Sequence, residues 1–156
     1  MTAPLKTRDL PSLIGEELEP TDWFEITQER VDQFAAATDD FQFIHVDAEQ
    51  AARTPFGGTI AHGYLTLSLL PVLTSQSGVR PEDAAMTINY GSDGFRFLAP
   101  VRVGKRVRLR RSVVDAHERK PGQWLVKTAV TIEIEGEETP AMTGEFLALY
   151  VTDGNA

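Results

Sequence analysis

IAHGYLTLSLLPVLTSQ, residues 60–76, is the stretch on which the fold turns. It is too long for an ordinary strand and apolar on nearly every face, so as a helix it has to be buried all round and not laid on a surface. Thr59 is placed to cap it, and Pro71 inside it is expected to kink the helix or end its regular part. The chain beyond it reads as strands. Extended segments are expected at 86–99, 105–117, 123–135 and 141–152. In the third, Trp124, Val126, Thr128, Val130, Ile132 and Ile134 alternate with mostly polar neighbours, as in a half-buried antiparallel strand. ERKPGQ and EGEETP suit hairpin connections.

Upstream of this stretch the chain reads helical. Thr27 is an N-cap flanked by the hydrophobic staple Ile26 and Val31, and Val31, Phe34, Ala35 and Thr38 fall on one helical face. A second, short helix starts at Asp47, whose carboxylate caps the amide of Gln50 while Gln50 reaches back, before TPFGG ends it. The first dozen or so residues and the tail from Asp153 read as loosely held. One buried helix followed by long antiparallel strands makes an α+β fold, a curled antiparallel sheet wrapped around one long buried central helix, which is the outline of a hotdog fold. With 156 residues and neither an internal repeat nor an interior linker, a single domain is expected over 1–156.

Composition narrows the function classes. The chain is 42% hydrophobic and 24% charged, ordinary for a globular protein, and no stretch approaches the roughly 18 apolar residues of a membrane span. A net charge of −8 argues against general binding of nucleic acid or anionic membrane. The absence of cysteine rules out disulfides and thiolate chemistry, and MTAPLKTRDLPSLIG lacks the apolar core of a secretory signal, so a cytoplasmic location is expected. There is no GxSxG elbow, GxxxxGK[ST] loop or HExxH helix, and scattered histidines without cysteine argue against a structural zinc site, so no metal is expected.

The remaining chemistry concentrates in DDFQFIHVD, residues 39–47. Asp40 and His45 sit in a non-periodic loop between two capped helices, so both side chains can turn toward one point. A neutral imidazole exchanges protons near pH 7 while a carboxylate orients it or shares its water, and Phe41, Phe43 and Ile44 would keep that water in a dry setting. The structural alternative is an aspartate capping a turn and a histidine satisfying a backbone carbonyl.

FAAATDDFQFIHVDAEQA, residues 34–51, resembles the signature of MaoC-like (R)-specific enoyl-CoA hydratases, in which a short helix ends in G-D-x-N-P-[IL]-H-x-D before a second helix. FGGTIAHGYLTLSLLPVL is similar to the start of that family's central helix, and FRFLAPVRVGKRVRLR to its R-F-x-x-P-V-x-x-G-D strand pair. Together they cover residues 21–151 in the single-hotdog, NodN-like form. The resemblance implies that Asp40 and His45 are catalytic, that Asp47 is the capping aspartate, and that the backbone N–H of Gly63 polarises the thioester oxygen. The first turn of a buried helix does offer unpaired N–H groups, though close helix packing explains a glycine there equally well. Asp39 stands where the family has Gly, and Gln42 and Phe43 replace its Asn-Pro. Gln keeps an amide that can hold the loop and Phe removes a rigid φ, departures that bear on substrate preference more than on reaction type.

The implied reaction is reversible hydration of a trans-2-enoyl-CoA to an (R)-3-hydroxyacyl-CoA by an Asp/His-held water. It needs no metal or redox cofactor, and coenzyme A enters as part of the substrate. Gln42, Phe43, His62 and Tyr90 are candidates to touch that substrate. The helix-start His62 has the alternative of a bond to a backbone carbonyl, and Tyr90, with Asn89, that of mere packing. Family resemblance also implies a homodimer with a continuous sheet. Two alternatives stand beside this reading. A hotdog thioesterase would carry an acid on or beside the central helix, where none lies between Gly63 and Gln76; a non-catalytic acyl-thioester-binding subunit would use Asp40 and His45 structurally. The basic run KRVRLRR, Lys105 to Arg111, suits either coenzyme A phosphates or a solvated strand face with Val107 and Leu109 inward. His117 reads as a surface residue.

Overall fold

The computed structural model describes residues 5–76 and 80–153. Helix α1, Gln28–Thr38, starts where Thr27 accepts the Arg30 N–H at 3.2 Å, buries Val31 and Ala35, and ends at Asp39 in the left-handed region with φ 56°. That φ is the physical reason a glycine suits this position, and aspartate is among the few other residues that tolerate it. The segment read as a non-periodic loop contains one helical turn, α2, Phe43–Val46, begun by Gln42. It is followed by α3, Ala48–Ala52, where Asp47 accepts the Gln50 N–H at 2.9 Å and the Gln50 side-chain amide returns a bond to the same carboxylate at 2.7 Å.

The central stretch departs from its reading at its start and in its burial. Residues 60–62 are extended, not helical: the Ile60 and Ala61 N–H groups are spent on the carbonyls of Ile44 and Val101, so the first helical residue is Gly63 and the residue before it is His62. Thr59 therefore caps nothing, and its hydroxyl donates to Gln28 Oε1 at 2.7 Å. As expected from Pro71, which has no N–H to continue the ladder, the helix is divided into α4, Gly63–Ser68, and α5, Leu70–Gln76. Burial is one-sided. Leu65, Leu69 and Leu73 are sealed in the core, whereas Tyr64 is 64% and Val72 40% exposed, since a single sheet covers only one face of the helix.

Among the described residues six antiparallel strands complete the fold: β1 (Glu17–Leu18), β2 (Phe24–Glu25), β3 (Ala84–Phe97), β4 (Arg106–Lys120), β5 (Gln123–Ile134) and β6 (Met142–Thr152). Their order is β1-β4-β5-β6-β3, with β2 also paired to β4. Alternation buries Val130, Ile132 and Ile134 on β5, against Val107 and Leu109 on β4 and Leu65, Leu69 and Leu73 of the central stretch. β4 and β5 turn at Gly122, whose φ of +74° suits glycine. β3 is interrupted by three register shifts and leaves its outer edge unpaired among the described residues.

The N-terminal segment is held more firmly than its sequence suggests. Thr7–Leu13 forms a 3₁₀ helix that inserts Leu10, 2% exposed, into a satellite core with Val113, Ala116, Val126 and Tyr150. Thr7 bonds the Asp83 carboxylate through both its N–H and its hydroxyl, at 2.8 and 2.9 Å. Residues 1–4, and residues 154–156 of the tail, lie outside the described residues.

Candidate active site

α1 and α2 deliver Asp40 and His45 to one place. Asp40 follows the left-handed Asp39, its N–H returning to the Ala35 carbonyl at 3.2 Å, while α2 swings His45 inward until it is 6% exposed. His45 Nδ1 lies 2.7 Å from the Ile60 carbonyl. A carbonyl only accepts, so Nδ1 carries the proton and Nε2 is left as a lone-pair acceptor. Burial holds the imidazole below its ordinary pKa, and the neighbouring His62 pushes in the same direction, against the opposing pull of the Ile60 carbonyl and the Asp40 charge. The ring is neutral at pH 7 and fit to take a proton.

His62 is a candidate to touch substrate by sequence, and the structure favours its other reading. Only 2% exposed, it donates from Nε2 to the Asp40 backbone carbonyl at 3.0 Å and stacks on His45, ring centroids 3.8 Å apart and planes inclined by 25°. Its Nδ1 is buried without a hydrogen bond among the described residues. Phe34 covers the same ring from 4.9 Å. The side-chain ligand atoms of Asp40, His45 and His62 all lie within 4.8 Å of one another. Each ring spends one nitrogen on a backbone carbonyl, His45 Nδ1 on Ile60 and His62 Nε2 on Asp40, which leaves a single nitrogen on each ring.

His45 opens onto a cleft of about 320 Å³ walled by Gly63, Thr66, Phe97, Pro100 and Ala141. Gly63 is the first residue of α4, so its N–H has no partner within the helix. A Cβ there would stand 3.0 Å from the Phe97 ring, so the packing explanation of this glycine holds as well. The other candidates disperse. Gln42 starts α2 and its carbonyl accepts the His45 N–H at 2.9 Å, a structural role. Phe41 and Phe43 are 58% and 40% exposed, so within this chain they do not enclose the site. Tyr90 lies on β3 in the wall of a different cleft, with the Arg119 guanidinium 5.1 Å over its ring.

Sequence reasoning missed Gln28. Its amide nitrogen donates to the His45 carbonyl and to Asp32, each at 2.8 Å, while its oxygen accepts from Thr59, tying α1, α2 and the strand-like entry to α4 together behind the pair. A glutamine in a first helical turn reads as solvated, and no local signal marks it. The basic run is settled by its pairings. Lys105 lies 3.5 Å from Glu137, Arg108 2.6 Å from Glu133, and Arg106 and Arg110 bind Glu135 and Glu17, so most of KRVRLRR is the outer face of β4. His117 sits at the surface beside Asp115 at 2.8 Å.

The profile of the MaoC like domain matches residues 9–136. The chain belongs to the MaoC-like family. Among its relatives is a 3-hydroxyacyl-thioester dehydratase Z of Mycobacterium tuberculosis, 46% identical, with 92% of this chain and 94% of the relative covered. A Nodulation protein N of Rhizobium leguminosarum bv. viciae is 43% identical over 97% of this chain and 94% of its own length. The crystallised (R)-hydratase from A. caviae involved in PHA biosynthesis superposes with a TM-score of 0.71 at 29% identity, covering 86% of this chain and 94% of that one. The curled sheet against α4 and α5 is thus the hotdog of the MaoC-like proteins.

Proposed function

We propose that this MaoC-like protein reversibly hydrates trans-2-enoyl-CoA to (R)-3-hydroxyacyl-CoA, with Asp40 and His45 as the water-holding pair. The observation that carries the reading is His45, held as the Nδ1–H tautomer, beside Asp40 and lining the same cleft as Gly63, whose N–H has no partner within its helix. The pair holds one water. One member takes its proton as the oxygen adds to C3, and a proton returns to C2 on the same face; the two groups titrate as a coupled unit. Negative charge developing on the thioester oxygen is met by the Gly63 N–H, a donor that costs no reorganisation at the moment of reaction. Coenzyme A arrives with the substrate, and no other cofactor takes part. The names of the dehydratase and (R)-hydratase relatives support the same reaction class.

The test is the loss of conjugated thioester absorbance when crotonyl-CoA or a longer enoyl-CoA is added. Asp40→Asn and His45→Gln are each expected to lower kcat by roughly 10²- to 10⁴-fold with little change in KM. Wild-type turnover in a folded Asp40→Asn variant would sink the assignment.

A further inference from the structure

Two clefts open beside α4, and no described residue lines both. Gly63 and Thr66 belong to the His45 cleft of about 320 Å³, whereas Tyr64, Leu67 and Ser68 line a second cleft of about 870 Å³. The first stands at the small end, and the second near the large end, of the roughly 300–1,000 Å³ that small-molecule sites occupy. Leu67, Leu70, Phe95, Val130 and Phe146 give the second cleft an extended apolar wall, the kind of surface against which an alkyl chain leaves water.

Three rings stand where the clefts adjoin. Phe97 walls the first and Tyr64 and Phe95 the second, and the three meet edge to face, with centroids 5.4 to 6.5 Å apart and planes inclined by 71° to 80°. Rings this close touch at their edges and leave no gap for a methylene chain. Phe95 is the fixed member: it stacks on Phe146 at 5.8 Å, and its Cβ lies 2.6 Å from where a Cβ on Gly144 would stand. Phe97, the last residue of β3, is 42% exposed, and its ring lies 3.0 Å from where a Cβ on Gly63 would stand. That ring thus connects Gly63 on one side to Tyr64 and Phe95 on the other. A chain attached to a thioester at Gly63 has the small cleft open to it and meets Phe97 before it reaches the large one. We infer that Phe97 sets the acyl-length limit of this protein: with the ring in place the site takes short, butyryl-like acyl groups, and without it the two clefts join and admit a longer chain. The inference rests on the acyl-thioester reading for where the chain begins, and it adds the class of acyl group to that reading.

Calorimetry with saturated thioesters tests this apart from turnover, because they cannot be hydrated. Wild-type protein is expected to bind decanoyl-CoA no more tightly than butyryl-CoA, since the added methylenes find no apolar wall. In Phe97→Ala the ratio of decanoyl to butyryl affinity is expected to rise at least about tenfold, because those methylenes are then buried in the second cleft. Ser68→Trp, placed in that background to fill the second cleft from the exposed side of α4, is expected to cancel the gain. A wild-type preference for decanoyl-CoA would overturn the inference, as would an unchanged ratio in Phe97→Ala or a gain that survives Ser68→Trp. Should Phe97→Ala not fold, Phe97→Leu and, from the other side of the ring contact, Tyr64→Ala take its place with the same rise expected. Failure of the wild type to bind either thioester overturns the inference together with the acyl-thioester reading, while a length switch retained without enoyl-CoA turnover sinks only the hydratase.

Discussion

His62 touches both members of the proposed pair, donating to the Asp40 carbonyl at 3.0 Å and stacking on His45 at 3.8 Å. Replacing it with phenylalanine keeps a ring against His45 and removes both the donor and the electrostatic influence of His62 that lowers the His45 pKa. His62→Phe is expected to cut kcat about tenfold with KM little changed, and to move the acid limb of the pH–kcat profile upward; an unshifted limb would leave His62 a purely structural role. His45 also links pH to stability. Its folded pKa lies below the ordinary 6.5, so the unfolded chain takes up the proton first as pH falls. The stability it contributes is complete above that value and is lost as pH drops through about 6.5 toward the lower folded pKa. Thermal unfolding of wild type is therefore expected to fall more steeply with acidification in this window than that of His45→Gln. Parallel curves would count against the buried, neutral ring.

Among the elements, the join from α1 to α2 carries the local strain. Asp39 holds φ 56°, where a β-branched side chain is strongly disfavoured and glycine is at ease. Asp39→Val is expected to destabilise by about 1–2 kcal/mol in urea unfolding, and Asp39→Gly to be neutral or slightly stabilising. A neutral Asp39→Val would mean that the join relaxes without the left-handed residue. The caps at Thr27 and Asp47 and the interruption at Pro71 were legible in sequence because each depends on residues within one helical turn. The N-terminal boundary of α4 was not legible. Carbonyls of Ile44 and Val101, both remote in sequence, recruit the amides that a helix starting at Thr59 would have needed.

At the scale of the whole molecule, two surfaces are left uncovered among the described residues. β3 runs for 14 residues with one neighbour and exposes Met86 by 52%, Ile88 by 43% and Tyr90 by 44%, while Tyr64 and Val72 are open on the helix behind it. An unpaired edge with apolar side chains invites a second copy, and we propose a homodimer joined through β3, in keeping with the family resemblance. Light scattering at micromolar concentration is expected to give twice the chain mass, and Ile88→Lys the monomer mass; a monomeric wild type would refute it. The sequence by itself determined a helical first half followed by four long strands, and its likeness to a family motif singled out Asp40 and His45, because period, caps, turns and a local motif are written within a few residues. Tertiary structure alone decided which His45 nitrogen is free, that His62 and Gln28 stand behind the pair, that α4 is covered on one side, and that Arg111 faces in. Each of these depends on which distant segment meets the side chain after the sheet has curled, and no local period carries that information.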